Sequence, residues 1–308
     1  MSSNSTSDWK KLPAKGLVHL AIVYVVWGST YLAIRLAVRD TGGIPPFTLG
    51  AIRTLVAGGG LLLWAWLRRM PTRLCRRDVL TLAVAGLLMW VGGNGMVNFA
   101  EQRADSSYAA LLVASMPIWG ALLDAILRRR RPSRSLILFL LVGFAGVGML
   151  SGPRLATAGR ADVLAILALL AAPLLWAIGS ILQLRRPVSV PPLVSAGYLH
   201  LFGAIGFVAI ALAVREPLPK PSPEAWGALA YLIVAGSMIS FTSYIRTLHL
   251  LPTSVAMTYA YVNPVIAVIL GALLLKEPIT PPIVGGMGLI LIGVWGVFRE
   301  GARGTRAD

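Results

Sequence analysis

Long runs of apolar residues without charges constrain this chain more than any other feature. Residues 79–99, for example, contain no Lys, Arg, Asp or Glu, and as a helix they can cross a hydrocarbon core about 30 Å thick. Most of these runs also lack the polar face that a water-soluble helix needs. Only 13% of the 308 residues are charged, whereas soluble domains are about 25% charged. The sequence therefore predicts an all-α integral membrane protein.

Ten such runs can be placed, five on each side of a short polar link near Pro153. We expect a first five-helix repeat at 17–151 and a second at 158–298, between polar tails at 1–16 and 299–308. The first run is too long for a cleavable signal core, so it is predicted to stay in the protein. The predicted spans are 17–38, 47–67, 79–99, 108–127, 136–150, 163–184, 193–214, 226–248, 255–275 and 283–298.

Basic residues are distributed unequally between the two sides of these spans. With the N-terminus inside, the inner segments hold 19 of the 28 Lys and Arg residues and the outer segments hold seven. Because cytoplasmic segments are enriched in Lys and Arg, both termini are predicted to be cytoplasmic. The net charge of +16 thus indicates membrane topology, and nucleic-acid binding is not expected.

The two halves of the sequence resemble each other. Because each half has five spans, an odd number, the second half must enter the membrane in the opposite sense, which makes the pair an inverted repeat. Inverted repeats are typical of transporters, because one half can rock against the other around a central site. The matching is clearest in the fourth and ninth spans, where Ser107, Ala109 and Pro117 correspond to Ser254, Ala256 and Pro264.

Several motifs follow one another along the chain: Trp27-Gly28-Ser29-Thr30, Ala33-Ile34-Arg35, the Ser-x-Ala…Pro pattern, Lys276-Glu277-Pro278 and Gly288…Gly293-Val294. In this order they resemble the EamA-type drug/metabolite transporter superfamily. The resemblance covers residues 17–298 and implies a ten-helix exporter of amino acids, amines or other small metabolites. Within the superfamily the chain looks most similar to the YddG-type aromatic amino-acid exporters. One departure is the basic turn Arg128–Arg131, which is usually acidic in the family.

The third span carries a polar stripe. Trp90, Asn94, Asn98 and Glu101 follow one another at helical spacing and so share one face. Such a face must meet protein or a watery cavity, since lipid would leave its amides unpaired. Cavity lining and hydrogen bonding between helices both remain open for Asn94 and Asn98.

Aromatic residues at mid-depth indicate a second part of the same cavity. Trp27, Trp119, Trp176 and Tyr259 lie near the middle of their spans, away from the interfaces where aromatic residues usually collect. Together with Asn263 they could accept an apolar or aromatic substrate, although packing against neighbouring helices is the simpler explanation. Pro117 and Pro264 are predicted to kink their helices.

Charged groups at mid-depth are scarce. Arg35 and Arg53 lie close enough to the outer surface to extend to it. Each is also a possible contact for a substrate charge. Glu101 is expected to be interfacial. No acidic residue lies in the middle of a span, so His200 is the only candidate offered for proton coupling.

These features favour a transporter with a mostly uncharged cavity. A membrane enzyme is disfavoured because no catalytic constellation exists, and a sugar-phosphate or nucleotide-sugar carrier would need more cations at mid-depth. A drug or amine carrier of the same superfamily remains an alternative. With one cysteine, Cys75, no disulfide or cysteine metal site is expected. We expect no cofactor, no metal, amino acids and lipids as partners, a monomer, and an inner-membrane location.

Overall fold

The computed structural model describes residues 13–39, 42–127, 133–157, 160–251 and 259–304. These ranges are helical and contain no β-strand, which confirms the all-α prediction for them. Their helices are α1 (Ala14–Ala37), α2 (Pro46–Leu67), α3 (Arg76–Ala100), α4 (Ser106–Val113), α5 (Met116–Leu127), α6 (Arg134–Thr157), α7 (Arg160–Arg185), α8 (Pro192–Ala213), α9 (223–250), α10 (Tyr259–Leu275) and α11 (Pro281–Gly304).

Six of the described helices, α1, α2, α3, α7, α8 and α9, are long and apolar enough to cross a membrane. α6, α10 and α11 contain shorter apolar stretches. The sequence predicted that spans five and ten are the shortest, but α6 and α11 each have 24 residues. The difference arises because α6 continues through Pro153 to Thr157 and α11 continues into polar residues up to Gly304.

Prolines and left-handed residues mark many helix ends. Four helices begin at a proline, α2, α8, α9 and α11, because the first turn does not need the missing N–H. The Ser222 hydroxyl also caps α9 by accepting from the Ala225 N–H at 3.2 Å. α2 and α8 are followed by Arg69 and Arg215 with φ of 52° and 54°. The chain thus leaves these two helices in the same way.

Glycine contacts join two helix pairs across the sequence halves. α2 packs along α8 and α6 along α11 more extensively than any other described pair. A Cβ added to Gly58 would lie 2.9 Å from the Gly197 carbonyl oxygen, and one added to Gly293 would lie 2.6 Å from the Gly143 Cα. Only glycine allows such close backbone approach.

The helix ends gather into two groups. At the Glu216 end, the Glu216 carboxylate accepts from the Phe47 and Thr48 N–H groups at 2.9 and 2.7 Å, and the Ser222 N–H donates to the Gly42 carbonyl. At the Asp78 end, the Ser189 hydroxyl donates to Asp78. Each carboxylate thus binds an element of the other half, which holds the two halves together.

Two π-helical turns lie at similar places in the two halves. They span Leu87–Gly95 in α3 and Leu232–Ile239 in α9. Trp90 and Ser237 are 147 residues apart, the spacing that also separates Pro117 from Pro264. Wide turns of this kind frequently accompany functional sites, and both turns here lie beside the central cavity.

Candidate substrate cavity

A central cavity lies where helices from both sequence halves meet. Its volume is about 80 Å³, and since about 10–15 Å³ suffices for one water, the cavity has room for several. Rings, amides and one guanidinium form its wall. The lining residues are Trp27, Thr30, Tyr31, Ile34, Arg53, Trp90, Gly93, Asn94, Val97, Val113, Met116, Ala172, Trp176, Tyr259 and Asn263.

Six of the eight side chains predicted to face a cavity line this one: Trp27, Trp90, Asn94, Trp176, Tyr259 and Asn263. They lie on four helices, α1, α3, α7 and α10. The Tyr259 ring is 5.1 Å from the Trp27 ring in an edge-on arrangement. The Asn263 amide nitrogen, oriented toward its acceptors, donates to the carbonyls of Tyr24 and Tyr259 at 3.3 and 3.1 Å. Asn263 thereby binds α10 to α1, while Pro264 lies inside α10.

Arg53 is the only charged residue among the described lining residues. It lies on α2 and is only 3% exposed. Its Nε donates to the Ser237 hydroxyl at 2.8 Å, and its Nη1 donates to the side-chain amide oxygen of Asn94 (Oδ1) at 3.1 Å. The guanidinium also lies 5.4 Å from the centre of the Trp90 ring. Arg53 therefore contacts the π-helical turns of both α3 and α9, instead of extending to the surface as the sequence suggested.

The sequence itself matches a known family over nearly its whole length. The EamA-like transporter family matches residues 14–152 and again residues 163–299. The chain belongs to the EamA-like transporter family. The two matched segments correspond to the two halves that the recurring motifs indicate, and family membership confirms the superfamily predicted from those motifs.

Relatives of this EamA-like chain occur in distant organisms. The uncharacterized inner membrane transporter YedA of Escherichia coli (strain K12) is 31% identical over 89% of this chain and 88% of its own length. The uncharacterized transporter YoaV of Bacillus subtilis is 22% identical over 91% of this chain and 96% of its own. A crystal structure that is 21% identical has a TM-score of 0.63 and covers 92% of this chain and 96% of that chain. The fold is thus shared.

Two predicted cavity residues of this EamA-like protein lie away from the described lining. The Asn98 amide donates to the Pro46 carbonyl at 3.3 Å and joins α3 to the start of α2. The Trp119 ring packs edge-on against Phe144, with centroids 5.2 Å apart. Both contacts are interhelical, the alternative that the sequence left open for such residues.

The fourth predicted span is broken in two. α4 ends at Val113 and α5 begins at Met116, with Ala114 and Ser115 between them. Pro117 falls in the first turn of α5, where a proline is tolerated because its position needs no N–H donor. Val113 and Met116, on either side of the break, line the cavity.

Arg35 lies outside the described lining. Its Nη1 donates to the carbonyl oxygens of Glu101 and Gln102 at 2.5 and 2.8 Å. These carbonyls end α3, where a cation complements the helix dipole. The geometry gives Arg35 a helix-capping role, which also joins α1 to α3.

His200 is fully buried behind the cavity wall. Its Nδ1 lies 2.8 Å from the Ala196 carbonyl oxygen, and its ring is 4.2 Å from the Trp90 ring and 5.0 Å from the Phe241 ring. Its Nε2 has no hydrogen-bond partner among the described residues. His200 and Arg53 are 147 residues apart, and both contact the Trp90 ring.

Glu101 was expected at the interface, but it is fully buried. Neither of its carboxylate oxygens has a hydrogen-bond partner among the described residues. Since a buried carboxylate without hydrogen bonds is costly, this residue is a further candidate for a role that the sequence did not suggest. No group of three His, Cys, Asp or Glu side chains in the described ranges could hold a metal ion.

Proposed function

We propose that this chain exports amino acids, with aromatic or apolar side chains preferred, across the inner membrane by alternating access. The observation that supports this most is the cavity wall, which combines aromatic rings, two amides and one guanidinium. Rings accept apolar side chains, and a few polar groups orient the charged ends of a zwitterion. Such a site binds weakly, which suits export from a concentrated cytoplasm.

The proposal includes ten spans in two inverted five-helix repeats, with both termini in the cytoplasm. At the Glu216 end, the α1–α2 connection contacts the α8–α9 connection. At the Asp78 end, the Tyr198 hydroxyl donates to the Thr72 carbonyl at 2.9 Å. These contacts are the ones expected of spans that cross in alternating directions, and the distribution of Lys and Arg supports an inside position for the Asp78 end.

The name of YedA, an inner membrane transporter, supports the same location for this chain. A sugar-phosphate carrier is less compatible, because a multiply anionic substrate needs several cations and the described lining supplies only Arg53. Coupling is either absent or proton-linked, and Glu101 and His200 are the buried titratable candidates.

The test is flux into liposomes that contain the purified protein, with radiolabelled phenylalanine, leucine and glutamate, with and without a pH gradient. We expect uptake of phenylalanine and leucine above that of protein-free liposomes, and little uptake of glutamate. If no amino acid is transported, the proposal is wrong. A dependence on the pH gradient would assign proton coupling to the protein.

A further inference from the structure

We propose that Arg53 binds the carboxylate of the transported substrate, so that a carboxylate is a requirement for recognition. This inference rests on the proposed function, because it assigns one group of the substrate to one side chain of the cavity. It also separates this chain from a carrier of amines, whose substrates have no carboxylate.

The first argument is the missing counter-ion. Both side-chain acceptors of Arg53, Ser237 and Asn94, are neutral. No carboxylate among the described residues pairs electrostatically with its guanidinium. A guanidinium stays charged in proteins, and a buried charge without an opposite charge is strongly disfavoured. An anionic group that enters the cavity would supply the missing charge.

The second argument is the number of donors. A guanidinium has five N–H groups, and the hydrogen bonds to Ser237 and Asn94 use one from Nε and one from Nη1. A carboxylate can take two parallel hydrogen bonds from the remaining N–H groups, the strongest arrangement for this pair. The indole N–H groups of Trp90 and Trp176, also in the lining, have no acceptor among the described residues. The cavity wall therefore has surplus donors, which suits an anion.

The third argument is that the surroundings hold Arg53 in place. Gly236 leaves the space that the guanidinium needs, since a Cβ there would lie 3.3 Å from Nη2. Trp27 is held next to this glycine, because its indole N–H donates to the Gly236 carbonyl oxygen at 3.1 Å. Because Ser237 holds Nε, a bound carboxylate would meet an oriented group at the cavity and lose little freedom of motion on the protein side.

The ammonium group at the other end of an amino acid also has matching groups in the cavity wall. Trp27, Trp176 and Tyr259 present aromatic rings to the cavity, and an ammonium is attracted to the faces of such rings. A substrate with one carboxylate and one ammonium thus matches the wall, whereas a second negative charge would have no cation among the described lining residues.

The experiment compares acids with their amides. Binding of leucine, leucinamide, phenylalanine and phenylalaninamide to the purified full-length protein is measured by tryptophan fluorescence, and flux is measured in liposomes. We expect each acid to bind at least about tenfold more tightly than its amide, the effect of one charge-assisted hydrogen-bonded pair. Arg53→Gln should abolish this preference, and Arg53→Lys should retain part of it.

A second variant tests the same role without removing Arg53, in case Arg53→Gln does not fold. Asn94→Asp places a carboxylate of the protein itself beside Nη1, where it neutralises the charge of the guanidinium. We expect this variant to be well folded and to lose the preference for acids. Arg73→Gln, at an exposed arginine, is the matched control and should behave like the unmodified protein.

Several outcomes overturn the inference. It is wrong if the unmodified protein binds the amides as tightly as the acids, if it binds neither acid, or if the preference persists in both Arg53→Gln and Asn94→Asp. Flux of leucine or phenylalanine with no acid preference would contradict only the role of Arg53. No flux of any amino acid would contradict the proposed function.

Discussion

At the residue scale, Trp27 joins the cavity wall to three other helices. Its ring lies 5.0 to 6.4 Å from four aromatic rings on three other helices, those of Trp176, Phe241, Tyr244 and Tyr259. Its N–H reaches the π-helical turn of α9. Because one side chain contacts both the cavity and a wide turn, changes at Trp27 should affect transport more than folding.

We therefore expect Trp27→Phe to lower flux several-fold while the protein remains folded. The substitution keeps an aromatic ring but removes the hydrogen bond to Gly236, worth about 0.5–1.5 kcal/mol. Trp27→Ala and Tyr259→Ala should lower flux further, because each also opens a hole in the wall. The measurement is leucine uptake into liposomes, normalised to the amount of inserted protein.

The control for these variants is Trp66→Ala. Trp66 lies on α2 and its side chain is 66% exposed, so its loss leaves the cavity unchanged. Equal uptake by Trp27→Phe, Trp27→Ala, Tyr259→Ala and Trp66→Ala would remove Trp27 and Tyr259 from the site.

The sequence located much of the cavity wall, but it misjudged the charged groups. Trp27, Asn94 and Tyr259 could be selected because aromatic and amide side chains at mid-depth are unusual. Arg53 and Glu101 were assigned to the surface from their distance to the span ends, and that distance does not say which face of a helix is buried. One sequence signal could have drawn attention to Arg53. It lies 147 residues before His200, and the recurring motifs of the two halves have the same spacing.

At the element scale, glycine contacts determine how closely α6 and α11 approach each other. A Cβ at Gly146 would lie 2.8 Å from the Ile290 backbone nitrogen, and one at Gly293 would lie 2.7 Å from the Gly143 nitrogen. These neighbours are backbone atoms, so they cannot turn away as a side chain could. The two helices must separate to admit even a methyl group.

Gly293→Ala should therefore destabilise the protein by about 1–3 kcal/mol, the usual cost of overpacking. The matched control on the same helix is Gly288→Ala, where a Cβ meets no neighbouring atom within 4 Å. That change should be neutral or stabilise α11 by up to about 1 kcal/mol, since glycine disfavours helix. Thermal unfolding of both variants in detergent measures the difference, and equal midpoints would contradict the contact.

The irregular elements were the hardest part of the fold to predict. Hydropathy marks where an apolar run begins and ends, so it missed the break at Ala114 and Ser115 and the polar extension of α11. The first π-helical turn contains Gly92, Gly93 and Gly95, whereas Gly236 is the one glycine in the sequence of Leu232–Ile239. A π-helical turn depends on contacts with other helices, and local sequence does not encode those.

At the scale of the whole molecule, carboxylates connect the halves at both ends. Besides Glu216 and Asp78, Glu277 accepts from the Ser106 and Ser107 N–H groups at 2.9 and 3.1 Å and so caps α4 from the other half. Two of these three contacts lie at one end and one at the other. Rocking of the halves would have to break and form such contacts in turn.

Cys75 offers a direct test of the orientation. It is exposed on the connection between α2 and α3, which we predict to be cytoplasmic. A membrane-impermeant maleimide should leave Cys75 unlabelled in intact spheroplasts and label it after permeabilisation.

The matched control combines Cys75→Ser with Lys220→Cys, at the exposed connection before α9. This variant should be labelled in intact spheroplasts. Labelling of Cys75 without permeabilisation would reverse the predicted orientation.

The anchoring of Arg53 between Asn94 and Ser237 also has an electrical consequence. A membrane potential acts on each charge that moves through its field, with about 2.3 kcal/mol per 100 mV for one elementary charge. Because hydrogen bonds from both sides hold the guanidinium, only the charge of the travelling solute counts in a transport cycle. Without a coupled proton, movement of a zwitterion should generate no current, whereas movement of a simple monocarboxylate should generate current and be driven outward by an interior-negative voltage.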